Sequence, residues 1–222
     1  MPKLLRAGAC LCIVAGAGVL LYSGYQVWDP FAGARQQAAQ QELLHSWQVR
    51  DSAGPAKPGG TPGSLPGHHA AAPCVDTGIS PRLSQPFAFI QIPAFGRSWK
   101  FTVVQGTTLT QLATGPGHIP GTALPGQAGN VGIAAHDITA GNPFLHLGSL
   151  RVGNRIVITT EHCVVTYRVT RAPRKVRYTD VAVLRPDGNK HTITLVTCWP
   201  ANLVFDVLRI VVPGIEVSSV PR

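Results

Sequence analysis

The amino-acid sequence predicts an all-β fold, either a barrel or a sandwich. Short segments rich in β-branched and aromatic residues alternate with turn residues along most of the chain. The 222 residues include 24 glycines and 19 prolines, which favours many turns over long helices. Hydrophobic residues make up 45% and charged residues 13%, which excludes a disordered chain and supplies enough apolar side chains for the core of one ordinary domain.

The N-terminal segment, residues 1–28, is predicted to be a cytoplasmic tip followed by a transmembrane helix. After Lys3 and Arg6, residues 7–25 carry no charge. As a helix they would span about 28 Å at about 1.5 Å per residue, close to the hydrocarbon thickness of a bilayer. The basic residues in front predict a cytoplasmic N-terminus and an extracytoplasmic remainder. A cleaved signal peptide is the alternative, although its small-residue site at 15–17 falls inside the apolar run.

Two further segments precede the main domain. Residues 29–50 include a run of glutamine and alanine that favours a short stalk helix. Residues 51–80 are dominated by glycine, proline, alanine and serine, which predicts a flexible linker partly extended by its prolines. We therefore expect the folded domain at residues 81–222, standing off the membrane.

Seven strands are predicted in this domain from β-branched and aromatic residues bounded by turn residues. They are residues 87–92, 99–104, 131–135, 155–160, 164–170, 192–197 and 207–212. Short helices are predicted at 108–113 and 144–150. Residues 115–130 form a long glycine- and proline-rich loop, and loops of this length often border a site.

The strand at 192–197 runs into Cys198 and stops before Pro200, which cannot donate to a ladder. Side chains alternate along a strand and therefore form two sets. Ile193, Leu195 and Thr197 share one face, and Thr194, Val196 and Cys198 share the other. A thiol on the less apolar face suits a nucleophile, whereas a buried cysteine that packs as a small hydrophobe is the alternative interpretation.

Three cysteines lie outside the predicted anchor: Cys74, Cys163 and Cys198. An odd number in an extracytoplasmic domain allows one disulfide and one remaining thiol, or three thiols. A disulfide between Cys74 and Cys163 would leave Cys198 as the thiol able to react.

A nucleophilic cysteine needs a partner that favours the thiolate and a donor for the oxyanion formed on attack. His136 follows the strand 131–135, and the small residues Gly132 and Ala134 on its face leave room for a ligand chain. A histidine that caps a strand or sits in the core is the alternative. His118, in the glycine-rich loop, is a further histidine that could border a groove.

Arg209 is the third candidate and lies in the middle of the apolar strand 207–212. A charge there is costly unless it is paired or faces a cleft. An ion pair is the alternative, although Asp206 would lie on the opposite face of the same strand. Two strands adjacent in sequence, one ending in cysteine and the next carrying arginine, point to a site more specifically than either alone.

The net charge of +9 suits anionic lipid, wall polymer or nucleic acid, and the absence of zinc-finger spacing or an RNA-binding motif makes nucleic acid the least favoured partner. Five basic residues lie close together in the sequence: Arg168, Arg171, Arg174, Lys175 and Arg177. They could face lipid headgroups or an acidic substrate, or form a solvated face.

Three motifs in order resemble those of the sortases, the membrane-anchored cysteine transpeptidases of bacterial cell surfaces. Residues 194–198, Thr-Leu-Val-Thr-Cys, fit the family's TLxTC box, and residues 129–136 resemble the strand that leads to its histidine. Residues 144–153 are similar to the segment after the histidine. The resemblance covers about residues 86–213, and Cys-Trp-Pro at 198–200 resembles the class D or class E branches without separating them.

The resemblance implies a closed eight-stranded β-barrel with short helices, with the site at the end of a groove. It implies that Cys198 attacks a peptide carbonyl in an LPxTG-like C-terminal sorting signal, that His136 protonates the leaving amine, and that Arg209 stabilises the oxyanion. An amine on a lipid-linked peptidoglycan precursor or a pilin subunit would then resolve the thioester. No metal or other cofactor is expected.

Four further residues are expected to contact substrate: Thr197, Ala134, Ala135 and His118. Ala135 departs from the family pattern, which usually has glycine before the histidine. An L,D-transpeptidase is a second candidate, but it expects a His-Gly-Cys neighbourhood with arginine just after the cysteine, where this chain has Trp199 and Pro200. A non-catalytic wall-binding or pilus-assembly module that keeps the barrel is a third, because a fold does not guarantee activity.

Overall fold

The computed structural model describes residues 31–52, 74–75, 80–199 and 208–222. The predicted membrane anchor at 1–28 and most of the predicted linker at 51–80 lie outside the described residues. None of the helices within the described ranges is both long enough and apolar enough to cross a bilayer. The anchor therefore stays a prediction from the sequence.

The described residues form two α-helices, three 3-10 turns and nine strands. The helices are α1 (Ala32–Ser52) and α2 (Leu109–Leu112), and the 3-10 turns are Pro93–Phe95, Leu147–Ser149 and Val181–Leu184. The strands are β1 (Pro86–Gln91), β2 (Lys100–Gln105), β3 (Gly117–His118), β4 (Gly129–Ala134), β5 (Arg155–Thr159), β6 (Cys163–Val169), β7 (Arg174–Arg177), β8 (His191–Trp199) and β9 (Leu208–Pro221). Each of the seven predicted strands corresponds to one of these.

Eight of the described strands close into a barrel. Neighbouring strands pair in the order β6, β5, β1, β2, β3, β4, β8 and β9, and β9 returns to pair with β6. The ninth strand, β7, pairs with the first part of β9. The predicted all-β class and the closed eight-stranded barrel are therefore confirmed.

The long strand β9 closes the barrel by changing partners along its length. Its first half lies between β8 and β7, and its second half pairs with β6. The change falls at Gly214, which is opposite both Ile193 and Val169. A Cβ on Gly214 would lie 2.9 Å from Cγ2 of Ile193 and 3.1 Å from the Arg168 carbonyl oxygen. A residue without a side chain is therefore needed where the three strands converge.

The two faces of β8 differ in burial as the alternation predicted. Ile193, Leu195 and Thr197 are buried in the barrel interior, whereas Val196 and Cys198 on the other face are partly exposed. Large side chains from the other strands complete the core, among them Ile90, Ile133, Ile156, Ile158 and Tyr167. The packing of the inner face thus determines that Cys198 points away from the core.

Two strands were not predicted from the sequence. β3 has only two residues and lies within the segment predicted as a glycine-rich loop. β7 carries three exposed basic residues and buries only Val176, so it lacks the apolar alternation on which the strand predictions relied. Charged side chains of this kind are common on edge strands, where they discourage pairing with another chain.

The helix predicted at 29–50 is present as α1, but it packs on the barrel instead of standing apart as a stalk. Leu43 and Trp47 are buried against Phe89 of β1, with the Trp47 and Phe89 rings edge to face. Near the end of the helix, Arg50 forms a 2.9 Å ion pair with the buried carboxylate of Glu161. The helix is therefore part of the folded domain.

A disulfide joins Cys74 to Cys163 at the start of β6, with the two Cα atoms 5.8 Å apart. Of the two alternatives that the sequence left open, the structure has one disulfide and one remaining thiol. The disulfide ties Cys74, a residue within the predicted linker, to the barrel wall. Of the three cysteines among the described residues, Cys198 is the one outside a disulfide.

We expect Leu43→Ala to lower the free energy of unfolding by about 2–5 kcal/mol, because it leaves a cavity between α1 and the barrel. Leu44→Ala is the matched control, since Leu44 is the next residue on the same helix and is 39% exposed against 0% for Leu43, and a clearly smaller loss is expected there. Urea denaturation of the full chain measures both. Equal losses would show that the helix does not depend on the barrel contact.

Candidate active site

Cys198 lies near the end of β8, between the two strands that lead to the other candidate residues. On one side it is directly opposite Arg209 of the antiparallel strand β9. Directly opposed residues project from the same face of a sheet, with Cβ atoms about 4.5–5.5 Å apart. The thiol and the arginine side chain therefore start from neighbouring points on one face.

His136 is brought to the same place by the parallel pairing of β4 with β8. The last paired residues are Ala134 and Val196, and the Ala135 N–H donates to the Val196 carbonyl at 3.1 Å. If the register is continued for two residues beyond this pair, His136 lies beside Cys198. The Phe144 N–H donates to the His136 carbonyl at 2.9 Å, which turns the following loop back toward the site.

His136, Cys198 and Arg209 thus occupy one face of β4, β8 and β9, here named the groove face, together with Ala134 and Val196. The side chains of all three candidates are partly exposed. Cys198 is not enclosed by aliphatic neighbours, as the interpretation of an inert core cysteine would require. The arrangement sets a thiol beside an imidazole on one neighbouring strand and a guanidinium on the other.

A cleft of about 310 Å³ opens beside the thiol. Cys198, Thr197 and Trp199 line it from β8, and Ile210 lines it from β9. The loop that follows His136 supplies the opposite side, through Asp137, Phe144, Leu145, His146, Gly148 and Ser149. A substrate group held in this cleft would be in contact with the sulfur.

Thr197 joins the ends of β4 and β8. Its buried hydroxyl donates to the Ala135 carbonyl at 2.8 Å, and the residue also lines the cleft. The bond links the residues immediately before His136 and Cys198. It therefore holds the imidazole-bearing chain in position against the thiol-bearing strand.

One contact at the cleft was not predicted from the sequence. The Lys175 ammonium lies 4.1 Å from the centre of the Trp199 ring, which lines the cleft. A cation over an aromatic face is attracted to it, so a positive charge is held at the cleft edge. The basic run from Arg168 to Arg177 was the available signal, but its pairing with β9 was not evident. Among the described residues, no three His, Cys, Asp or Glu side chains come together as metal ligands would.

A family model described as a sortase domain matches residues 90–217 of the chain, which is more than half of its length. The chain belongs to the sortase family. The matched segment contains the strands that carry Cys198 and Arg209 and the strand that leads to His136.

The chain is similar to three other sortases in sequence or structure. Sortase SrtE1 of Streptomyces coelicolor is 29% identical over 236 residues, covering 98% of this chain and 58% of that protein. Sortase D of Bacillus subtilis is 23% identical over 126 residues, covering 57% of this chain and 61% of that protein. The chain thus spans less than two thirds of the length of these two relatives. The solved structure of sortase E from Streptomyces avermitilis has a TM-score of 0.58 at 33% identity, covering 63% of this chain and 93% of that one.

The groove face of this sortase has less space for a ligand chain than the sequence suggested. Ala134 is partly exposed there. The space above Gly132, however, is occupied, because a Cβ at that position would lie 3.0–3.1 Å from Ile119 and Thr122. The small size of Gly132 therefore accommodates the protein's own loop, and the expectation that a ligand chain lies across it is wrong.

Ala135 has its side chain in the barrel core and is buried to 3% exposure. It faces away from Ala134, as strand alternation requires. Its contribution to the site is through its backbone, since its carbonyl accepts the Thr197 bond and its N–H bonds to Val196.

His118 is not at the cleft lined by Cys198. It pairs with Ile133, whose side chain is in the core, and it is itself only 2% exposed. Its Nδ1 lies 2.8 Å from Oε1 of Gln105, and its Nε2 lies 2.9 Å from the Ala123 carbonyl and 3.0 Å from the Thr122 hydroxyl. Both ring nitrogens are engaged within the protein, so this placement gives no support to substrate binding by His118.

Burial lowers the pKa of His118 below its ordinary value of 6.5, and the hydrogen bond to the Ala123 carbonyl opposes this only in part. The unfolded chain therefore takes up the proton more readily than the folded chain as the pH falls through the ordinary histidine range. We expect acidification from about pH 7 to about pH 5 to destabilise the wild type with an added slope of up to about 1.4 kcal/mol per pH unit.

In His118→Gln that part of the slope should disappear, whatever the absolute stability of the variant. Urea denaturation across the pH range measures the slope for both proteins. Parallel curves would show that His118 does not contribute to the loss of stability at acidic pH.

Proposed function

We propose that the chain is a membrane-anchored cysteine transpeptidase that cleaves an LPxTG-like C-terminal sorting signal between Thr and Gly and transfers the protein to an amine. The observation that carries the proposal is the strand register, which sets a partly exposed thiol opposite an arginine and next to a histidine beside a cleft. Membership of the sortase family and the fit of residues 194–198 to the TLxTC box support it.

In the first half-reaction, the Cys198 thiolate attacks the carbonyl carbon of the threonine and forms a C–S bond. Arg209 donates to the oxyanion that develops on the carbonyl oxygen, because its guanidinium holds its charge at any working pH. The peptide C–N bond then breaks, and His136 gives a proton to the departing amine of glycine. The product is a thioester between the sorted protein and Cys198.

In the second half-reaction, an acceptor amine attacks the thioester carbonyl. His136 takes a proton from this amine, the C–S bond breaks and the thiolate is regenerated. The products are a new amide bond and an enzyme in its starting state, so no outside oxidant, reductant or cofactor is consumed. Water attacking the same thioester would give hydrolysis.

The membrane anchor predicted at residues 7–25 would place the barrel outside the cytoplasm. The Cys74–Cys163 disulfide supports that location, because such bonds persist in oxidising compartments. The proposed acceptors are lipid-linked peptidoglycan precursors or pilin subunits. A tethered enzyme meets membrane-bound substrates at raised effective concentration without any further contact.

The comparisons favour class E over class D for this sortase. Identity is 33% to the sortase E structure and 29% to SrtE1, against 23% to Sortase D.

We expect Cys198→Ala to abolish cleavage of LPxTG-type peptides by the full chain, because no other described cysteine retains a thiol. A peptide library assayed with and without an amine acceptor measures cleavage, motif and transfer together. The control is the unfolding midpoint in urea, which should match that of the wild type. Cleavage by the variant at the wild-type rate would eliminate the proposed nucleophile, and a wild type that cleaves nothing would favour the non-catalytic module.

Arg209→Lys should lower kcat/KM for peptide cleavage by about a hundredfold, the loss typical for one oxyanion donor. Lysine keeps the positive charge but loses the rigid fork of donors, so the variant separates geometry from charge. Arg177→Lys is the matched control, because Arg177 is an exposed arginine on the neighbouring strand β7. Equal activity of the two variants would mean that Arg209 contributes charge alone or nothing.

A further inference from the structure

The barrel has two ends, and the strand directions determine which elements lie at each. The parallel strands β4 and β8 end beside Cys198, at what is here named the thiol end. When the pairings are followed around the barrel, β1, β6 and β7 also end there, whereas β2, β5 and β9 begin there. Segments that lead into β1, β4 or β8 therefore lie at the opposite end.

The helix α1 begins at the thiol end. A Cβ on Gly141, in the loop that follows β4, would lie 3.7 Å from the Cβ of Ala32 and 3.7 Å from Cε1 of Phe101, near the start of β2. The last turn of the helix is at the opposite end of the barrel, because Arg50 pairs with Glu161 in the turn between β5 and β6. The helix thus runs along the barrel wall from the thiol end to the opposite end.

The direction of α1 limits how the barrel can stand on a membrane. The uncharged run of the predicted anchor ends at residue 25, and the chain from there to Phe31 reaches at most about 20 Å when fully extended. The 21 residues of α1 span about 31 Å as a helix. If the opposite end of the barrel faced the bilayer, the start of α1 would be raised by about that length and would be out of reach. An anchored chain therefore requires the thiol end to lie toward the membrane.

The thiol end carries a group of exposed arginines. They lie in the loop before β5, at the start of β5, at the end of β6, and in β7 and the turn before it. The six, here named the arginine patch, are Arg151, Arg155, Arg168, Arg171, Arg174 and Arg177. In the sequence from 138 to 179 the one acidic residue is Glu161, which is buried at the opposite end of the barrel. The positive charge of the patch is therefore not balanced by acids from its own segments.

Two arginines of the patch are placed where like charges repel each other. Arg155 of β5 and Arg168 of β6 are directly opposed in the antiparallel pair, and both are exposed. Like charges in this position destabilise a sheet. Among the residues that the structure describes, no carboxylate lies within ion-pair distance of an arginine of the patch. An anion from outside the protein would relieve the repulsion.

Exposed apolar and aromatic side chains accompany the arginines. Tyr178, which follows β7, is 60% exposed, and Val152, which precedes β5, is 63% exposed. Tyrosine is enriched where lipid headgroups meet water, because it combines an apolar ring with a polar tip. Arginines interspersed with such side chains fit an anionic bilayer surface better than a soluble polyanion, which would leave the apolar groups in water.

We propose that the arginine patch docks on anionic lipid headgroups of the bilayer that holds the chain, so that Cys198 and its cleft lie toward the membrane surface. The proposal rests on the membrane anchor of the proposed function, because the anchor sets which end of the barrel can reach the bilayer. Each basic residue near an anionic surface favours docking by about fivefold, so a few of them suffice to hold one orientation. An acceptor carried by the same bilayer would meet the cleft without leaving the membrane.

The test measures amide hydrogen exchange of the full chain in lipid nanodiscs of two compositions. One contains phosphatidylcholine alone, and the other contains equal amounts of phosphatidylcholine and phosphatidylglycerol. Exchange is compared for the patch segments 150–155 and 170–178 and for the reference segment 185–190, which leads into β8 at the opposite end. Backbone amides covered by a docked surface open to solvent less often and exchange more slowly.

In the wild type we expect phosphatidylglycerol to slow exchange of the patch segments at least about threefold and to leave the reference segment unchanged. In 1 M salt, where the Debye length is about 3 Å, the difference between the two lipids should disappear. Equal exchange of the patch segments in both lipids, or slowing at the reference segment instead, would overturn the proposal. This comparison needs no variant.

Charge reversal provides the second arm. The double variant Arg168→Glu with Arg171→Glu changes two arginines of the patch, and Arg82→Glu with Arg185→Glu is the matched control, because it changes two exposed arginines toward the opposite end by the same net charge. At about fivefold for each unit of charge, the patch variant should weaken docking at least about a hundredfold and lose the lipid-dependent slowing. The control should keep it. Exchange of the buried strand β1 should match the wild type in both variants, which shows that the barrel is intact.

Retention of the slowing in the patch variant, or its loss in both variants, would reject the patch as the docking surface. Two further readouts on the same nanodiscs separate this proposal from the proposed function. Release of the chain by alkaline carbonate would defeat the predicted anchor and the orientation with it. Cleavage of a sorting-signal peptide tests the transpeptidase reaction, and its failure would leave the exchange result for the patch unchanged.

Discussion

The pairing of β8 with its two neighbours is the constraint on which the rest of the site depends. β8 runs parallel to β4 and antiparallel to β9, and both pairings are held in register by the buried residues Ile193 and Leu195. A slip of one residue would turn this whole apolar set toward solvent and bring Cys198 into the core. The free energy that stabilises the barrel interior therefore also fixes the thiol opposite Arg209. The catalytic geometry proposed here needs no separate stabilisation of the nucleophile.

Most of the barrel could be predicted from local patterns, because strands with one buried face carry alternating apolar residues. The closure could not, since it depends on β9 leaving β8 and joining β6 beyond Gly214, and that pairing is not encoded within any short segment. β7 was missed because it buries only Val176 and draws its stability from pairing with β9. The packing of α1 had a signal in the sequence: Ala39, Leu43 and Trp47 recur every four residues and are all buried. The glutamine- and alanine-rich composition of residues 35–44 favoured the simpler interpretation of a stalk.

The site, like the barrel, could be predicted only where a local sequence pattern marked the residue. Cys198 and Arg209 stood out because a thiol and a charge lie on two strands that are consecutive in sequence. His136 stood out because it follows a strand that carries the small residues Gly132 and Ala134 on the same face. The burial of His118 could not be predicted, since a histidine in a glycine-rich loop has no sequence pattern that distinguishes an exposed ring from a buried one. Its surroundings are decided by Gln105 and Ala123, which are brought to it only by the fold. Gly132 shows the same limit, because a missing side chain leaves room for a ligand or for another loop of the protein.

Strand alternation explains why five consecutive residues of β8 have five different surroundings. Leu195 and Thr197 point inward, so the first fills the core while the hydroxyl of the second bonds the Ala135 carbonyl beside His136. Thr194, Val196 and Cys198 point to the groove face. There Thr194 meets the loop that carries Val183, Val196 lies on the open floor next to Ala134, and Cys198 lies at the cleft. The two threonines are thus not interchangeable, since one joins strand to strand and the other joins strand to loop. On the groove face, Val196 lies between Thr194 and Cys198, and its side chain takes part in neither threonine hydrogen bond.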